Sequence, residues 1–387
     1  MTDAAQTALV LSGGGARGAY QVGVLQGLVE HGFLPEGRSG VGILVGSSAG
    51  AINTGVLAAY ADRFADGIAA LMDTWSHLEA QQVFRTDLRS LGRTGARWAW
   101  DLSFGGAMRT VQPKSLLDTA PLRQLLTARV PFARIDPNVE TGALRALAVP
   151  STDLYSANGV LFVHGHPDLP AWTRRRWRIE RTRIRVEHIM ASSAIPVFFP
   201  SIEIGGRHFG DGSIRNTTPL SHAINLGASR IIAIGVREPG HIAKPARPRK
   251  QPPPTIAQIA GVLLDAVMLD AIEVDVEHSE RVNTAVMSYP TDDPKHPFRW
   301  VDVLWLSPSP DFSPIAAELA HRIPAGVRYL MRGLGSDEAV TELASYLLFD
   351  SEFCSRLIDL GRADVRAERK RIAEFFRGTP ARGVPAG

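Results

Sequence analysis

The amino-acid sequence predicts an α/β protein in which a mainly parallel sheet is covered by helices on both faces. Near the amino terminus, short apolar runs typical of buried strands alternate with segments of helical periodicity. The strand runs are apolar throughout, which favours parallel strands buried on both faces. Hydrophobic residues make up 45% of the 387 residues, which is enough for a sizeable core and too many for a disordered chain.

The first four elements follow the order strand, helix, strand, helix. The apolar run "TALVLS" enters the glycine-rich turn 13–18, and a helix is expected over 17–31, ended by Gly32. One face of that helix carries the apolar residues Tyr20, Val24, Leu25 and Leu28. A second buried strand is expected over 41–46, running into the small-residue helix "SSAGAINTGVLAAY".

The middle of the chain adds helices and then paired strands. Residues 60–125 are expected to be mostly helical, with an interruption at "RTGARWAWDLSFGGAMR". Strands are expected over 144–149 and 159–165, joined by a turn at Asn158 and Gly159, and "IEIGGRHF" indicates a tight hairpin.

The last part of the α/β pattern is a helix followed by a strand. Thr218 fits a helix N-cap, Pro219 the first helical position and Gly227 the stop, and the strand "RIIAIGV" follows. The Pro-rich basic stretch 238–254 then predicts an exposed loop or linker. A long amphipathic helix after it and a charged helical end predict three parts: a catalytic domain over 7–237, the loop 238–254, and a helical region 255–387 packed on the domain.

Composition excludes several classes of protein. The formal net charge of +3 does not by itself indicate nucleic-acid binding. The single cysteine, Cys354, excludes an intrachain disulfide and a cysteine-based metal cage, and it is expected to be a small core residue. The amino terminus has no basic, apolar leader pattern, and no run approaches the roughly 18 apolar residues of a membrane span. We therefore expect a soluble, cytoplasmic protein without metal or cofactor.

The pentapeptide "GSSAG" at the end of the second predicted strand matches the nucleophile elbow G-x-S-x-G, with Ser48 at its centre. A nucleophilic serine needs a sharp strand-to-helix turn that exposes its oxygen, and Gly46 and Gly50 allow the close backbone approach of that turn. The alternative is a tight turn without chemistry.

The glycine loop 13–18 fits two chemistries. Its spacing is that of a dinucleotide-binding loop, but the acid expected at the end of the second strand is missing, since Glu36 lies in a polar loop. Free backbone N–H groups at a helix N-terminus also suit the oxyanion of acyl transfer. With a serine elbow on the next strand, the oxyanion hole is the favoured interpretation.

Three motifs in order resemble those of the patatin-like phospholipases. The family pattern is G-G-G-x-[KR]-G, then G-x-S-x-G, then D-G-[GA], and here these are residues 13–18, 46–50, and Asp211 with Gly212. The stretch "ASSAIPVFFPSIEIGGRHFGDGSIRNTTP" also resembles the approach to the family's catalytic aspartate. The resemblance covers roughly residues 7–237, and the region after the Pro-rich loop resembles the C-terminal extensions of some bacterial members.

The resemblance implies a three-layer α/β/α fold and a Ser-Asp dyad, with Ser48 as nucleophile and Asp211 as general base. It also implies an oxyanion hole from the backbone N–H groups of Gly13, Gly14 and Gly15. Arg17 is expected at the rim of that hole, ordering the loop or meeting a lipid phosphate. The motif residues with a supporting role are Arg17, Gly18, Gly46, Gly50 and Gly212. One departure from the pattern is Ser213, which follows Asp211-Gly212 where glycine or alanine is usual.

Other candidates have less specific signals. Asp211 itself, directly after the predicted hairpin, has the alternative role of opening an Asx turn. His188, His208 and His222 lie nearest the motif-bearing segments, but nothing around His222 indicates a triad member. Asp153 after a strand is expected to cap a turn more readily than to join the site.

Two aromatic and basic stretches suggest contact with a lipid surface. Arginines alternate along 173–185, with Trp172 and Trp177 among them, and "RWAW" occupies 97–100. Such stretches suit an anionic lipid interface, although a solvated strand explains the first as well.

Two hypotheses of function follow. The first is a serine lipid acyl hydrolase acting on fatty-acyl esters of phospholipids, lysophospholipids or related lipids at a membrane or micelle surface, with no nucleic-acid partner. The second is a protein that binds a nucleotide or anionic lipid through residues 13–18 without turnover.

Overall fold

The structure is a computed structural model, and it describes residues 6–85, 115–240, 253, 271–289, 298–332 and 345–378. Nine strands occur in these residues. They are β1 (Thr7–Leu11), β2 (Ile43–Gly46), β3 (Ala146–Asp153), β4 (Gly159–Gly165), β5 (Trp177–Arg181), β6 (Ile202–Ile204), β7 (Arg207–Gly210), β8 (Arg230–Ile234) and β9 (Asp302–Leu306).

The helices within the same residues surround the sheet. They are α1 (Gly18–Glu30), α2 (Ala49–Ala59), α3 (Phe64–Ser76), α4 (Ala80–Val83), α5 (Ala120–Arg129), α6 (Ile135–Glu140), α7 (Val186–Ser192), α8 (Pro219–Asn225), α9 (Ala271–Ser288), α10 (Ser313–Leu319), α11 (Ala325–Arg332), α12 (Ser351–Ala367) and α13 (Arg369–Arg377). Short 3₁₀ turns lie at Gly15–Arg17, Phe132–Arg134, Gly212–Ile214 and Ala320–Arg322.

The strands form a mainly parallel sheet in the order β5-β4-β3-β2-β1-β8-β9. Strands β3, β2, β1, β8 and β9 are parallel neighbours, so their carboxyl ends share one edge of the sheet. Strand β4 pairs antiparallel with β3, and the β6–β7 hairpin joins β3 through an antiparallel pair in which Gly210 lies opposite Thr152. The end of β7 therefore lies at the same edge, which we call the carboxyl edge.

The two faces of the sheet are buried by different helices, which confirms the three-layer architecture. Alternate residues of the central strands divide between two cores, as the two-residue period of a strand requires. Leu9, Leu44 and Leu147 pack with α1, α2 and α12 on one face, whereas Ala8 and Val45 pack with α8 and α9 on the other.

Helix α1 is buried on more sides than its apolar stripe predicts. The polar Gln21 is fully buried, and Gly23 lies so close to α12 that a Cβ there would be 2.0 Å from the carbonyl oxygen of Ile358. Gly361 of α12 approaches α1 in the same way, since a Cβ there would lie 2.5 Å from the carbonyl oxygen of Tyr20. The second helix layer over α1 comes from residues more than 300 positions away, so local periodicity could not reveal it.

Most sequence-based elements agree with the structure, with shifts at their ends. The hairpin turn at Gly205 and Gly206 is confirmed by positive φ at both residues, and Pro219 occupies the first turn of α8. Strand β9 was not predicted, and it extends the sheet past the expected domain boundary at 237. The expected long helix is confirmed over its described part, α9, while "RWAW" and nearly all of 238–254 lie outside the described residues.

Candidate active site

Ser48 lies in a sharp turn between β2 and α2. Its backbone has φ 52° and ψ −121°, a conformation that residues with a side chain rarely adopt. Such strain is typical of a nucleophile elbow, where it points the side chain away from both the strand and the helix. The expectation of a strand-to-helix turn centred on Ser48 is confirmed.

The two glycines of the elbow are required by close backbone contacts. A Cβ at Gly46 would lie 2.2 Å from the carbonyl oxygen of Gly50, and a Cβ at Gly50 would lie 2.4 Å from that of Leu11. Any side chain at these positions would therefore push α2 away from the ends of β1 and β2. Gly46 and Gly50 therefore determine the position of Ser48.

Asp211 follows β7 at the carboxyl edge and is completely buried. Its Oδ1 accepts a hydrogen bond from the Ser213 backbone N–H at 2.8 Å, which is the Asx-type turn that the sequence left open as an alternative. Oδ2 has no hydrogen-bond partner of good geometry among the described residues. One oxygen of the carboxylate thus stabilises the turn, and the other remains available to accept a proton.

Burial raises the pKa of Asp211 from 3.8 to about 6, against the opposing effect of hydrogen bonding to the Ser48 side chain and to Ser213. The Ser48 hydroxyl is therefore within reach of the carboxylate, although it does not complete a well-formed bond to Oδ2. Catalytic hydrogen bonds are often long before substrate binds. A carboxylate with a pKa near 6 is a better proton acceptor than one of ordinary pKa and is still ionised at neutral pH.

The glycine loop packs against the elbow. Gly14 and Gly15 have φ of 154° and 57°, and a Cβ at Gly18 would lie 2.7 Å from the Cβ of Ala49, the residue after Ser48. In the described residues, the backbone N–H groups of Gly13, Gly14 and Gly15 donate to no acceptor. Unpaired donors beside a nucleophile are what an oxyanion hole requires.

Arg17 is buried, so of its two expected roles the contacts favour ordering the loop over meeting a lipid phosphate. Its side chain is buried, its Nε donates to Ser345 Oγ at 2.9 Å, and its guanidinium lies 4.4 Å from the centre of the Tyr346 ring. The backbone of Tyr346 in turn covers Gly15, where a Cβ would lie 2.2 Å from its carbonyl oxygen. Arg17 thus fastens the glycine loop to the segment 345–350, which the sequence alone did not connect to it.

Two adjacent serines at the end of α7 hold the backbone of Ser48. The Ser48 N–H donates to Ser192 Oγ at 3.2 Å, and Ser193 Oγ donates to the Ser48 carbonyl at 3.0 Å. The next residue, Ala194, accepts a hydrogen bond from the Asp211 N–H at 3.0 Å. This segment therefore positions Ser48 and Asp211 relative to each other. These serines belong to the stretch "ASSA", which carries part of the family resemblance, but no local pattern assigns them a role.

A buried amide network supports the glycine loop from below. Asn53 Nδ2 donates to the Gly18 carbonyl and to Gln21 Oε1, and Gln21 Nε2 donates to the Ser12 carbonyl at 2.9 Å. Trp75 Nε1 completes the network by donating to Asn53 Oδ1 at 2.9 Å. Because its members satisfy one another, this network holds the backbone at both ends of the loop, through the carbonyls of Ser12 and Gly18.

An apolar pocket opens from Ser48 between α2, α3 and α5. Its cavity volume is about 50 Å³, so the pocket is narrow. Ser48, Gly15 and Ser193 lie at one end and Thr74 and Arg129 are the polar residues elsewhere in the lining. The apolar lining includes Ile52, Val56, Leu71, Trp75, Leu122, Leu126, Phe199 and Phe349.

The other sequence candidates lie elsewhere or have structural roles. Within the described residues no histidine bonds to Ser48 or Asp211, and His222 lies in α8 with its ring against Trp177. Burial lowers the pKa of His222 to about 3, so this ring is neutral. Asp153 accepts the N–H groups of Tyr155 and Ser156 and caps a turn, as expected. No group of three or more metal-binding side chains occurs in the described part of the chain.

An α/β protein with a strained serine elbow, a free glycine loop and a buried carboxylate at one sheet edge has the layout of a serine hydrolase. A family model described as Patatin-like phospholipase matches residues 9–224, more than half of the chain, and the chain belongs to this family. The resemblance stated from the three motifs is thereby confirmed.

Curated relatives of the chain are uncharacterized NTE family proteins. One from Mycobacterium bovis is 28% identical over 246 residues, which are 62% of this chain and 51% of the relative, and two Mycobacterium tuberculosis proteins match equally. The chain thus spans about half the length of the curated relatives it matches.

Solved structures of similar proteins are more distant. Human GIVD cytosolic phospholipase A2, in complex with methyl gamma-linolenyl fluorophosphonate, is 13% identical with a TM-score of 0.43, over 96% of this chain and 58% of that one. VipD from Legionella pneumophila is 15% identical with a TM-score of 0.34, over 92% of this chain and 67% of that one.

Proposed function

We propose that this protein is a serine lipid acyl hydrolase that cleaves fatty-acyl esters of phospholipids, lysophospholipids or related lipids. The observation that carries the proposal is the apolar pocket, because it begins at the strained Ser48 and its lining suits a hydrocarbon chain. Each CH₂ group buried there contributes about 0.8 kcal/mol to binding. An acyl chain in the pocket would bring its ester carbonyl to Ser48.

The proposed chemistry needs only residues of this chain. Asp211 takes the Ser48 hydroxyl proton as Oγ attacks the ester carbonyl, and the N–H groups of Gly13, Gly14 and Gly15 stabilise the oxyanion. Collapse of this intermediate breaks the ester bond, and Asp211 returns the proton to the departing alcohol. Water then attacks the acyl-enzyme, gives its proton to Asp211, and releases the fatty acid as Ser48 regains a proton.

Ester hydrolysis tests the proposal, with p-nitrophenyl esters of short and long chains and with phospholipid vesicles. We expect Ser48→Ala to lower kcat at least about 1000-fold and Asp211→Asn about 100-fold or more. Long-chain esters should have the lower KM, because they fill more of the pocket.

Matched controls exist for both substitutions. Ser151 is a fully buried serine whose hydroxyl has no partner in the described residues, and Asp275 is a buried aspartate whose pKa burial also raises to about 6. Ser151→Ala and Asp275→Asn should keep wild-type kcat, with circular dichroism as the check on folding. Wild-type turnover in Ser48→Ala would overturn the proposal.

A further inference from the structure

We propose that the turn after β3, together with the arginines that precede and begin β5, is the surface by which this protein docks on an anionic phospholipid bilayer. This surface, called the docking edge below, consists of Leu154, Tyr155, Arg175, Arg176 and Arg178. This proposal rests on the proposed function, because a lipid hydrolase must bring Ser48 to a lipid surface.

The topology places the docking edge at the carboxyl edge of the sheet, where Ser48 and Asp211 lie. Residue 154 follows the carboxyl end of β3, which is parallel to β2 and its Ser48 elbow. Strand β4 starts opposite the end of β3, and β5 starts beside it, with Trp177 opposite Gly159. Arg175 and Arg176, which precede Trp177, therefore lie at this edge too.

The turn after β3 presents apolar side chains to solvent in a fixed conformation. Tyr155 is 86% exposed and Leu154 is 48% exposed. Asp153 Oδ1 accepts the N–H groups of Tyr155 and Ser156, and the Leu154 N–H donates to the His208 carbonyl of β7 at 3.0 Å. Water-exposed apolar groups on a rigid turn cost free energy that insertion between lipids recovers. Tyrosine in particular prefers the headgroup level of a bilayer.

The turn after β3 lies beside Asp211, the proposed general base. The side chain of Leu154 packs beside Gly210, where a Cβ would lie 2.9 Å from its Cδ2, and Asp211 is the next residue. The exposed Val197 lies between Ile195 and Phe199, which line the apolar pocket. A bilayer that meets Tyr155 would therefore lie on the side of the molecule that carries Asp211.

Acidic residues neutralise only part of the positive charge of the docking edge. Arg175 and Arg176 are exposed and form no ion pair with described residues, and Arg178 is 3.9 Å from Glu180. Glu180 is closer to Arg207, at 2.8 Å. An open polar pocket beside the turn is lined by the carboxylate of Asp153 and by donors that suit a lipid phosphate, which include Ser156, Asn158, Arg176, Arg178 and Arg207. Anionic lipids attract such arginines by roughly 1 kcal/mol each, which is a fivefold change in binding.

A second set of exposed apolar residues lies near α9. Most of it lies at the amino edge of the sheet, opposite the carboxyl edge that carries Ser48. Asn283 of α9 exchanges hydrogen bonds with Val301, which directly precedes β9, so the carboxyl end of α9 lies at the amino edge of the sheet. Tyr289, just past that end, is 80% exposed. A bilayer bound there would face away from Ser48. Tyr289 therefore provides the matched control for Tyr155.

The test is co-sedimentation of the full chain with vesicles of phosphatidylcholine alone or with added phosphatidylglycerol, at low salt and at about 1 M salt. All chains carry Ser48→Ala, so that lipid is not consumed. Tyr155→Ser is compared with Tyr289→Ser, and Arg178→Gln with Arg281→Gln. Arg281 is 78% exposed beside Glu277, as Arg178 is 68% exposed beside Glu180.

We expect binding only to vesicles with phosphatidylglycerol, and weaker binding at high salt. Tyr155→Ser should weaken binding about tenfold and Arg178→Gln roughly fivefold, while the two control variants bind as the parent chain does. The proposal is overturned if no vesicle is bound, if neutral vesicles bind equally, or if Tyr289→Ser weakens binding as much as Tyr155→Ser. Hydrolysis of a monomeric short-chain ester by chains with Ser48 intact separately decides the proposed function.

Discussion

Ser48 has a positive φ, which is unfavourable for a residue with a side chain, so contacts with other residues must stabilise this conformation. Ser192 and Ser193 bond both backbone groups of Ser48, and they come from a segment 144 residues further along the chain. The motif G-x-S-x-G was sufficient to predict the turn and its central serine. No local pattern could show which distant hydroxyls face that turn, which is why these two positioning residues were missed.

Removing the hydroxyl of Ser193 should lower kcat and leave KM nearly unchanged, because the Ser48 carbonyl loses its donor while the apolar pocket keeps its shape. We expect Ser193→Ala to reduce kcat roughly tenfold, the value of one buried hydrogen bond. Ser193→Thr retains a hydroxyl and should recover most of the rate, with Ser151→Ala as the control. Equal rates for the alanine and threonine variants would argue against a positioning role.

The raised pKa of Asp211 gives a pH dependence with a defined sign. Asp211 accepts a proton only when ionised, so kcat/KM should rise with pH through about 6. A pH–rate profile on a monomeric ester measures this. A rate that is constant between pH 5 and 8 would show that another group takes the proton.

The same group should make the free energy of unfolding depend on pH. Because burial raises the folded pKa above the unfolded value, the favourable contribution of Asp211 is complete below about pH 4 and is lost as pH rises through about 6. Asparagine does not ionise, so Asp211→Asn avoids this loss. The free energy of unfolding of the variant, relative to that of wild type, should therefore increase by roughly 3 kcal/mol from pH 4 to pH 8. Urea unfolding at both pH values checks the difference, and a pH-independent difference would contradict it.

At the scale of elements, the sequence predicted β1, α1, β2 and α2 well, because apolar runs and glycine signals are local. It missed β9, a five-residue, mostly apolar strand that is only partly buried at the edge of the sheet and pairs with β8. It also placed Arg17 at a rim, because nothing near residue 17 indicates that Ser345 and Tyr346 cover it. Local signals define elements, whereas long-range packing decides which of them are buried.

The contact between α2 and β1 predicts that Gly50 tolerates no side chain. Gly50→Ala would place a Cβ 2.4 Å from the Leu11 carbonyl oxygen, and a rigid backbone atom has little room to move. We expect a loss of more than about 2 kcal/mol in the free energy of unfolding. Gly37 has open space around it, so Gly37→Ala should change stability by less than about 0.5 kcal/mol. Equal effects in urea unfolding would disprove the contact.

At the scale of the whole molecule, residues far beyond the family match complete the core and the site. The family model ends at residue 224, yet α12 covers α1, and Phe349 lines the apolar pocket. In the described residues no helix is both long and apolar enough to span a bilayer. The division at 237 and 254 remains a sequence-based prediction, but the packing indicates that α12 and α1 stabilise each other.

Gly23→Ala distinguishes a tightly packed α12 from a loose extension. In an exposed helix, alanine would stabilise by up to about 1 kcal/mol relative to glycine. Here the Cβ would lie 2.0 Å from the Ile358 carbonyl, so we expect a loss of stability and a lower Tm. An increased Tm in calorimetry would mean that α12 is not docked on α1 as described.

Covalent labelling decides most directly whether Ser48, which lines the apolar pocket, is the proposed nucleophile. The most direct measurement is intact-protein mass spectrometry after reaction with a long-chain alkyl fluorophosphonate, in which a nucleophilic serine oxygen displaces fluoride. We expect one adduct on wild type and on Ser151→Ala, mapped to Ser48, and none on Ser48→Ala. An undiminished adduct on Ser48→Ala, or no adduct on wild type, would contradict it.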